Sequence, residues 1–433
     1  MDTIAALASA PGLAGISVIR LSGSHAFEIS QKFHSKAAAA TKNPRVIQYG
    51  DIENVDDAMI VAFKAPNSYT GEDVVEIFSH GNPLIVQQIL DLAIAHGARP
   101  AEPGEFTKRA YLNNRLDLVQ AEAVGDLIHA SSQQALILAR SQMGGVWSEQ
   151  VTMIEKQLLA IMAHASAWLD FGEEDISDFS GKDVANELEP IIKQIEGWVD
   201  GAASAQIIRD GYKVALVGLP NAGKSSLLNA LAGFDRAIVT DVAGTTRDTI
   251  EHQLHINGYL IELIDTAGLR DSEDQVEAIG IERTKVVASS AHAVLVLVAP
   301  DQNLEDLKDQ LPDGLPQIVV QTKYDLGFND IGEIKTSTKT GEGIDQLRTK
   351  LGELAAGAAH SESAITANAR QLAALNMAHD ELVKANKAAL ADTPLDLLSV
   401  HLSAATEALA SVTGTHTSEA MLDAVFSTFC IGK

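Results

Sequence analysis

Eight residues, Gly218-Leu-Pro-Asn-Ala-Gly-Lys-Ser225, constrain this chain more than any others. They fit GxxxxGK[ST], follow the apolar run Val214 to Val217 and precede a helical run from Ser226 to Leu231, which is the strand, loop and helix order that the pattern requires. Such a loop lets successive backbone N–H groups face one concave surface at a helix N-terminus, where the helix dipole favours an anion. Lys224 adds a point charge toward β- and γ-phosphates, and Ser225 supplies a hydroxyl for Mg²⁺. From Lys213 to about Leu351 the apolar strands Val214 to Val217, Leu260 to Ile264, Ala293 to Val298 and Ile318 to Val320 alternate with helical stretches. That alternation predicts a doubly wound parallel sheet.

Three further elements extend the phosphate site. Asp265-Thr-Ala-Gly268 follows a second apolar strand, where a carboxylate can hold Mg²⁺ through water and a glycine N–H can meet the γ-phosphate. Thr245-Thr246 lies between these two elements, in a segment able to order around the metal and release after hydrolysis. Thr322-Lys323-Tyr324-Asp325 follows the strand Ile318 to Val320, and an Asp carboxylate there can accept from the N1–H and 2-amino group of guanine. Adenine offers neither donor, so GTP is the expected nucleotide. The set resembles the Ras-like translation-factor class of GTPases, whose base-reading motif is usually Asn-Lys-x-Asp. Here Thr322 stands where the Asn is expected, a departure that predicts weaker nucleotide binding through loss of an amide hydrogen bond. Ser337-Thr338-Lys339 looks like the fifth element of that class.

Ras-like enzymes place a Gln directly after the third element to position water, but Leu269 occupies that place and neither donates nor accepts. An arginine finger is one replacement. A monovalent cation is another, since Asn221 offers a side-chain oxygen beside the phosphates; the residues alone leave both open.

A chain of 433 residues exceeds one core, and three domains are expected. From Ile4 to Leu118 short strands at Ile16 to Leu21, Met59 to Phe63 and Val74 to Phe78 mix with a helix that Pro83 opens and Gly97 closes, which predicts a small α+β domain. Gln120 to Ile208 is helical, with one buried stripe through Ile154, Leu158, Ile161, Ala165 and Trp168. Helices return after Glu353, in a stretch with Leu372, Leu375 and Met377, then at Leu395 to Leu409 and Ser418 to Phe429. The α/β segment therefore reads as an insertion in a helical domain. The fold class expected is multidomain α+β, with domains at 1–118, at 119–209 plus 355–433, and at 210–354.

The single cysteine, Cys430, suits a reducing compartment, and the lack of any long apolar run predicts a cytoplasmic protein without a membrane partner. A net charge of −26 excludes a broad basic surface for nucleic acid, so an RNA partner has to be met by a local basic patch.

Asp241-Val-Ala-Gly-Thr-Thr-Arg-Asp248, Ile279-Gly-Ile-Glu-Arg283 and the C-terminal Phe429-Cys-Ile-Gly-Lys433 resemble the MnmE (TrmE) family of tRNA-modification GTPases. Asp2-Thr-Ile, Pro11-Gly12, Ile19-Arg-Leu-Ser-Gly23, Thr70-Gly-Glu-Asp-Val74, His80-Gly81, Pro103-Gly-Glu-Phe106 and Leu116-Asp-Leu118 resemble it too, so the likeness spans nearly the whole chain. The resemblance implies a homodimer through an N-terminal folate-binding domain and K⁺-dependent hydrolysis triggered when two GTPase domains meet. It implies GTP contacts at Asn221, Ala222, Gly223, Lys224, Ser225 and Ser226; at Thr240, Asp241, Val242, Ala243, Gly244, Thr245 and Thr246; at Asp265, Thr266, Ala267 and Gly268; and at Thr322, Lys323, Asp325, Ser337, Thr338 and Lys339. The K⁺ ligands would be Asn221 with main-chain oxygens of Thr240, Val242 and Thr245, while Ser225 and Thr246 would hold Mg²⁺. Glu277 matches the family's water-orienting glutamate; without the resemblance it reads as a solvated residue on an acidic loop.

The resemblance also implies 5,10-methylenetetrahydrofolate or 5-formyltetrahydrofolate at Arg20, Glu76, Arg115 and Lys433. Read alone, Glu76 is equally a charge on an edge strand facing water, and lone arginines are usually solvated. Cys430 is a catalytic candidate, against the commoner reading of an inert thiol. The implied partners are tRNA and the flavoprotein MnmG (GidA), the pair forming a heterotetramer that adds an aminomethyl or carboxymethylaminomethyl group to C5 of the wobble uridine, U34. The competing expectations are a regulatory GTPase of ribosome assembly of the Era or Der kind, and a folate enzyme with a merely structural nucleotide.

Overall fold

Alternating apolar residues on short strands build the first sheet. In the computed structural model, residues 2–171, 180–233, 251–265, 291–312, 314–327, 331–359, 367–391 and 393–433 are described. Strands β1 (Ile4–Leu7), β2 (Ala14–Ser22), β3 (Gln48–Ile52), β4 (Asp56–Phe63), β5 (Val74–Gly81) and β6 (Arg99–Pro100) lie in the order β3-β4-β5-β2-β1-β6. All neighbours are antiparallel except β1 and β6. Ile19, Leu21, Ile60, Val75 and Ile77 point to one face and pack with Ile29 and Phe33 of α1 (Ala26–Phe33) and Ile89 of α3 (Pro83–Ala95); α2 (Ala37–Lys42) lies between them in the chain. The start of α3 follows from its residues: the Asn82 side chain accepts from the Leu84 N–H at 2.9 Å, Pro83 takes the first turn, and Gly97 at φ 107° ends the run.

The chain divides into two compact units. Unit 1 comprises Met1–Ile128, Arg140–Ile192 and Ala373–Lys433, and unit 2 comprises His129–Ala139 and Lys193–Leu372. Besides the first sheet, unit 1 holds α4 (Glu105–Leu112), α5 (Leu118–His129), the end of α6 (Gln133–Met143) past Ala139, α7 (Val146–Phe171), the first part of α8 (Gly181–Asp210) and three later helices introduced below. Ile154, Leu158, Ile161 and Ala165 of α7 are buried as the period-3.6 stripe predicts, and Trp168 is half-buried.

In unit 2 the second sheet contains β7 (Tyr212–Gly218), β8 (Glu251–Ile256), β9 (Tyr259–Asp265), β10 (Ala293–Val298), β11 (Gln317–Gln321) and β12 (Ile334–Lys335), with α9 (Lys224–Gly233) after β7 and α10 (Ile344–Ala358) after β12. The order is β12-β11-β10-β7-β9-β8. Five strands run parallel, as expected, but β8 pairs antiparallel with β9 and corrects the all-parallel expectation. Its sequence, Glu-His-Gln-Leu-His-Ile, alternates polar and apolar residues only from Gln253 on and leads into a hairpin turn at Asn257 and Gly258, whose φ values of 54° and 83° suit a two-residue turn.

After α10, α11 (Ala369–Leu390), α12 (Leu395–Thr413) and α13 (Glu419–Phe426) complete the helical part. Within unit 1, α12 packs along α7, so chain from before and after the α/β segment meets there. The fold is multidomain α+β, as expected, with an α/β segment between helical ones.

Candidate functional site

The phosphate loop leaves the C-terminal end of β7, which lies between β9 on one side and β10 on the other. Chain order reverses at that strand, and the crevice at such a reversal is where parallel α/β sheets hold ligands. Two backbone features shape the loop: Asn221 at φ 63° and Gly223 at φ 90° both adopt the left-handed region. Gly218 is required for a different reason, because a Cβ there would lie 2.9 Å from the Leu297 carbonyl oxygen. Lys224 opens α9, and its ammonium donates to the carbonyls of Gly218 at 2.6 Å and Leu219 at 3.2 Å, which holds it over the loop. Ala222 is fully buried beneath it, and Ser225 and Ser226 follow on the first turn of α9. Asp265, the last residue of β9, pairs in register with Leu216 of β7, so its carboxylate belongs to the same sheet end.

The segment Thr322 to Asp325, expected to read the base, lies at the C-terminal end of β11. Thr322 is buried; its N–H donates to the Val298 carbonyl at 2.9 Å and its hydroxyl donates to the Ala222 carbonyl at 2.6 Å. Lys323 takes a left-handed φ of 51°, and Tyr324 N–H donates to the Thr336 carbonyl at 3.0 Å. Asp325 follows with one carboxylate oxygen, Oδ1, accepting from the Ser337 hydroxyl at 2.8 Å. Ser337 is fully buried just past β12 and also accepts from the Thr340 N–H at 3.2 Å. The segment Ser337-Thr338-Lys339 is thus joined to Asp325, with Thr338 and Lys339 exposed in the turn. Gly343 closes this turn at φ 73°, where a Cβ would collide with the Lys335 carbonyl. Thr240 to Thr246, Thr266 to Gly268, Leu269 and Glu277 lie outside the described residues.

A second group of predicted residues meets in unit 1. Arg20 on β2 and Glu76 on β5 are register partners, and β5 lies between β4 and β2 rather than at an edge. That position corrects the edge-strand alternative for Glu76. Arg20 donates from Nε to Glu76 Oε1 at 2.8 Å, with the second guanidinium nitrogen at 2.7 Å, and both side chains are largely buried. The guanidinium carbon stands 5.4 Å from the ring centre of Tyr69 and 5.6 Å from that of Phe106, within cation–π range.

The C-terminal pentapeptide comes to the same place. Ile431 bridges Pro103, Phe106 N–H donates to the main-chain oxygen of Lys433 at 3.2 Å, and Arg20 reaches the Gly432 carbonyl at 3.5 Å. Phe429 anchors the segment in a cluster with Leu118, Ala121 and Val124 of α5 and Phe426 of α13. Gly432 at φ 96° admits no Cβ, which would collide with the Leu7 carbonyl. Burial lowers the Lys433 pKa, and the Arg20 charge lowers it further against the pull of Glu76. Cys430 is exposed. Arg115 is exposed, after α4, with its Cγ beside Gly71.

Tyr69 was not among the expected residues, and neither was Gln302, whose side chain donates to the Pro220 carbonyl at 2.9 Å. No period or motif marks either; only the aromatic ring over Arg20 and the amide on the phosphate loop reveal them.

The family model described as GTP-binding protein TrmE N-terminus matches residues 3–115, and that described as MnmE helical domain matches residues 118–430. A tRNA modification GTPase MnmE of Neisseria meningitidis serogroup C is 41% identical over 450 residues, covering 100% of this chain and 99% of its own. The chain belongs to the MnmE family of tRNA-modification GTPases. A second MnmE, from Alkaliphilus oremlandii, is also 41% identical over 457 residues and covers 100% of this chain. The G domain of the T. maritima FeoB iron transporter aligns over 33% of this chain and 98% of its own at 29% identity, with a TM-score of 0.25 that carries no argument. As an MnmE-family member the chain is a GTP hydrolase, in accord with the phosphate and base loops described above.

Proposed function

We propose that this MnmE-family GTPase is K⁺-activated and works with a flavoprotein partner, MnmG, on the wobble uridine of tRNA. The reaction adds an aminomethyl or carboxymethylaminomethyl group at C5 of U34, with a one-carbon unit from a reduced folate held beside Arg20. The observation that carries the K⁺ reading is Asn221. It stands in the phosphate loop at φ 63°, in a chain whose third element is followed by Leu269 and so lacks a polar side chain there to position water. Asn221 would offer its side-chain oxygen, with main-chain oxygens of Thr240, Val242 and Thr245. A bound K⁺ would supply the positive charge that an arginine finger gives elsewhere.

Ser225, Thr246 and, through water, Asp265 are hard oxygen donors that suit Mg²⁺, which would neutralise charge on the β- and γ-phosphates. Lys224 and the loop N–H groups bind those phosphates, Asp325 reads guanine, and Glu277 orients the attacking water. In unit 1, the Glu76 carboxylate suits pterin N–H donors and the rings of Tyr69 and Phe106 suit a flat heterocycle, so these residues fit a reduced folate. Arg115 and Lys433 would meet its anionic end, and Cys430 is the candidate nucleophile nearby.

The domain bounds we assign are 1–118, 119–209 plus 355–433, and 210–354. Homodimers form through the first domain, and hydrolysis draws two GTPase domains together and apart to gate the modification site. The protein works in the cytoplasm; among the described residues no helix is long and apolar enough to cross a membrane.

Steady-state GTP hydrolysis in KCl against NaCl at equal ionic strength, with Asn221→Ala beside the wild type, tests the reading. Strong stimulation by K⁺ that the variant loses is the expected result. Equal rates in the two salts would overturn the cation mechanism and return the arginine finger.

A further inference from the structure

We propose that Gln302 and Thr322 are positioning residues that clamp the phosphate loop on both sides of Asn221 and thereby aim its N–H groups at the nucleotide. The proposal rests on the reading of this loop as the GTP site. Gln302 follows β10, and its amide is held at both ends: Oε1 accepts from the Ala299 N–H at 3.2 Å and Nε2 donates to the Pro220 carbonyl at 2.9 Å. Thr322 follows β11, and its hydroxyl proton goes to the Ala222 carbonyl at 2.6 Å, the shorter of its two oxygen contacts, the other being Val298 at 3.4 Å. The two clamped carbonyls are those of the residues immediately before and after Asn221.

The consequence follows from peptide geometry. In a planar trans peptide the C=O and N–H point in opposite directions. Binding the Pro220 carbonyl to Gln302 therefore turns the Asn221 N–H the other way, and binding the Ala222 carbonyl to Thr322 does the same for the Gly223 N–H. A loop whose carbonyls were free to rotate inward would present lone pairs to phosphate oxygens and repel them. Lys224 takes up the carbonyls of Gly218 and Leu219. Four loop carbonyls are thus occupied by side chains.

This assigns a role to the departure at position 322. Where the related motif carries Asn, one hydroxyl donor supplies the link between base loop and phosphate loop, and the weaker nucleotide binding expected from the sequence does not follow.

The test is titration and dissociation of mant-GDP with Mg²⁺ on the full-length protein, with melting of the nucleotide-free protein recorded in parallel. Thr322→Val should weaken mant-GDP about tenfold through faster dissociation, the effect of leaving the buried Ala222 carbonyl unpaired, and Gln302→Leu, which releases the exposed Pro220 carbonyl to water, should weaken it by less, about threefold. Thr322→Ser and Thr322→Asn, which keep a donor, should stay within about threefold of wild type on the same grounds. Two results would overturn the clamp. One is Thr322→Asn binding tenfold tighter with Thr322→Val unchanged, which makes Thr322 a lost nucleotide contact. The other is all four variants weakening in step with their melting temperatures, which makes the contacts matters of folding alone. A wild-type protein that binds no mant-GDP is a separate result, and it would overturn the nucleotide reading together with the clamp.

Discussion

Arg20 is a charge placed where a charge is costly. Its guanidinium has 14% of its side-chain surface exposed, lies between two aromatic rings and has Glu76, 18% exposed, as its carboxylate partner. Removing one member of such a pair leaves the other without compensation. Glu76→Ala is therefore expected to destabilise unit 1 by about 1–3 kcal/mol, seen as a lower melting temperature, and to abolish binding of 5-formyltetrahydrofolate in calorimetry. Unaltered folate binding in that variant would remove Glu76 from the site. At this scale the sequence was informative unevenly. Gly218 to Ser225 form their loop by their own spacing, and Asp325 stands just past β11, because local chain order alone sets those positions. Tyr69 and Gln302 owe their roles to neighbours 49 and 82 residues away, at Arg20 and Pro220, and no local pattern encodes such a neighbour.

Secondary-structure elements were legible in proportion to their apolar content. Strand β10, Ala-Val-Leu-Val-Leu-Val, is buried along its whole length and its bounds are those expected. The expected cores of β2, β4, β5, β7, β9 and β11 are each extended at their ends. The strands that went unseen are β1, β3, β6, β8 and β12, which are short, as at Arg99–Pro100 and Ile334–Lys335, or polar, as in Gln-Tyr-Gly-Asp-Ile of β3. They form because a neighbouring strand offers an edge, a tertiary reason that period and propensity do not contain. The pentapeptide likewise depends on tertiary contacts for its placement, and above all on Gly432. Gly432→Ala adds a Cβ into the Leu7 carbonyl at a φ that only glycine adopts freely, so the segment has to lift from β1. The expected outcome is a folded protein with normal GTP hydrolysis and at least tenfold weaker folate binding, on the order of one lost contact group. Unchanged folate affinity would separate the pentapeptide from the site.

At the scale of the whole molecule, the acidic excess of −26 coexists with an ion network inside unit 1. Arg109 is almost wholly buried and contacts Asp2, Glu72 and Glu105, while Arg99 contacts Asp2 and Glu105. Burial pushes the Glu105 carboxyl up, but hydrogen bonds from Arg99, the Glu102 N–H and Arg109 overcome it and leave its pKa below the ordinary 4.5. A depressed carboxylate pKa gives stability that is present above the unfolded value and is lost as pH falls through the folded one. The melting temperature of unit 1 is therefore expected to drop as pH falls below about 4.5, and Glu105→Gln should start lower at pH 7 and show a shallower decline. Equal slopes in both proteins would assign the acid sensitivity to other groups. The succession of an α+β start, helices and an α/β segment follows the changing period of the apolar residues, because each period reports its own packing partner.

Arg20 and Gly432, which meet beside Glu76, are 412 residues apart in the chain. A ribosome adding roughly 5–20 residues per second therefore makes Arg20 something like 20 to 80 seconds before Gly432, which closes the cluster, exists. Until then Arg20 and its glutamate lack one wall. The cluster is complete only once Gly432 has been made, so a polypeptide released before it leaves Arg20 and Glu76 open on that side.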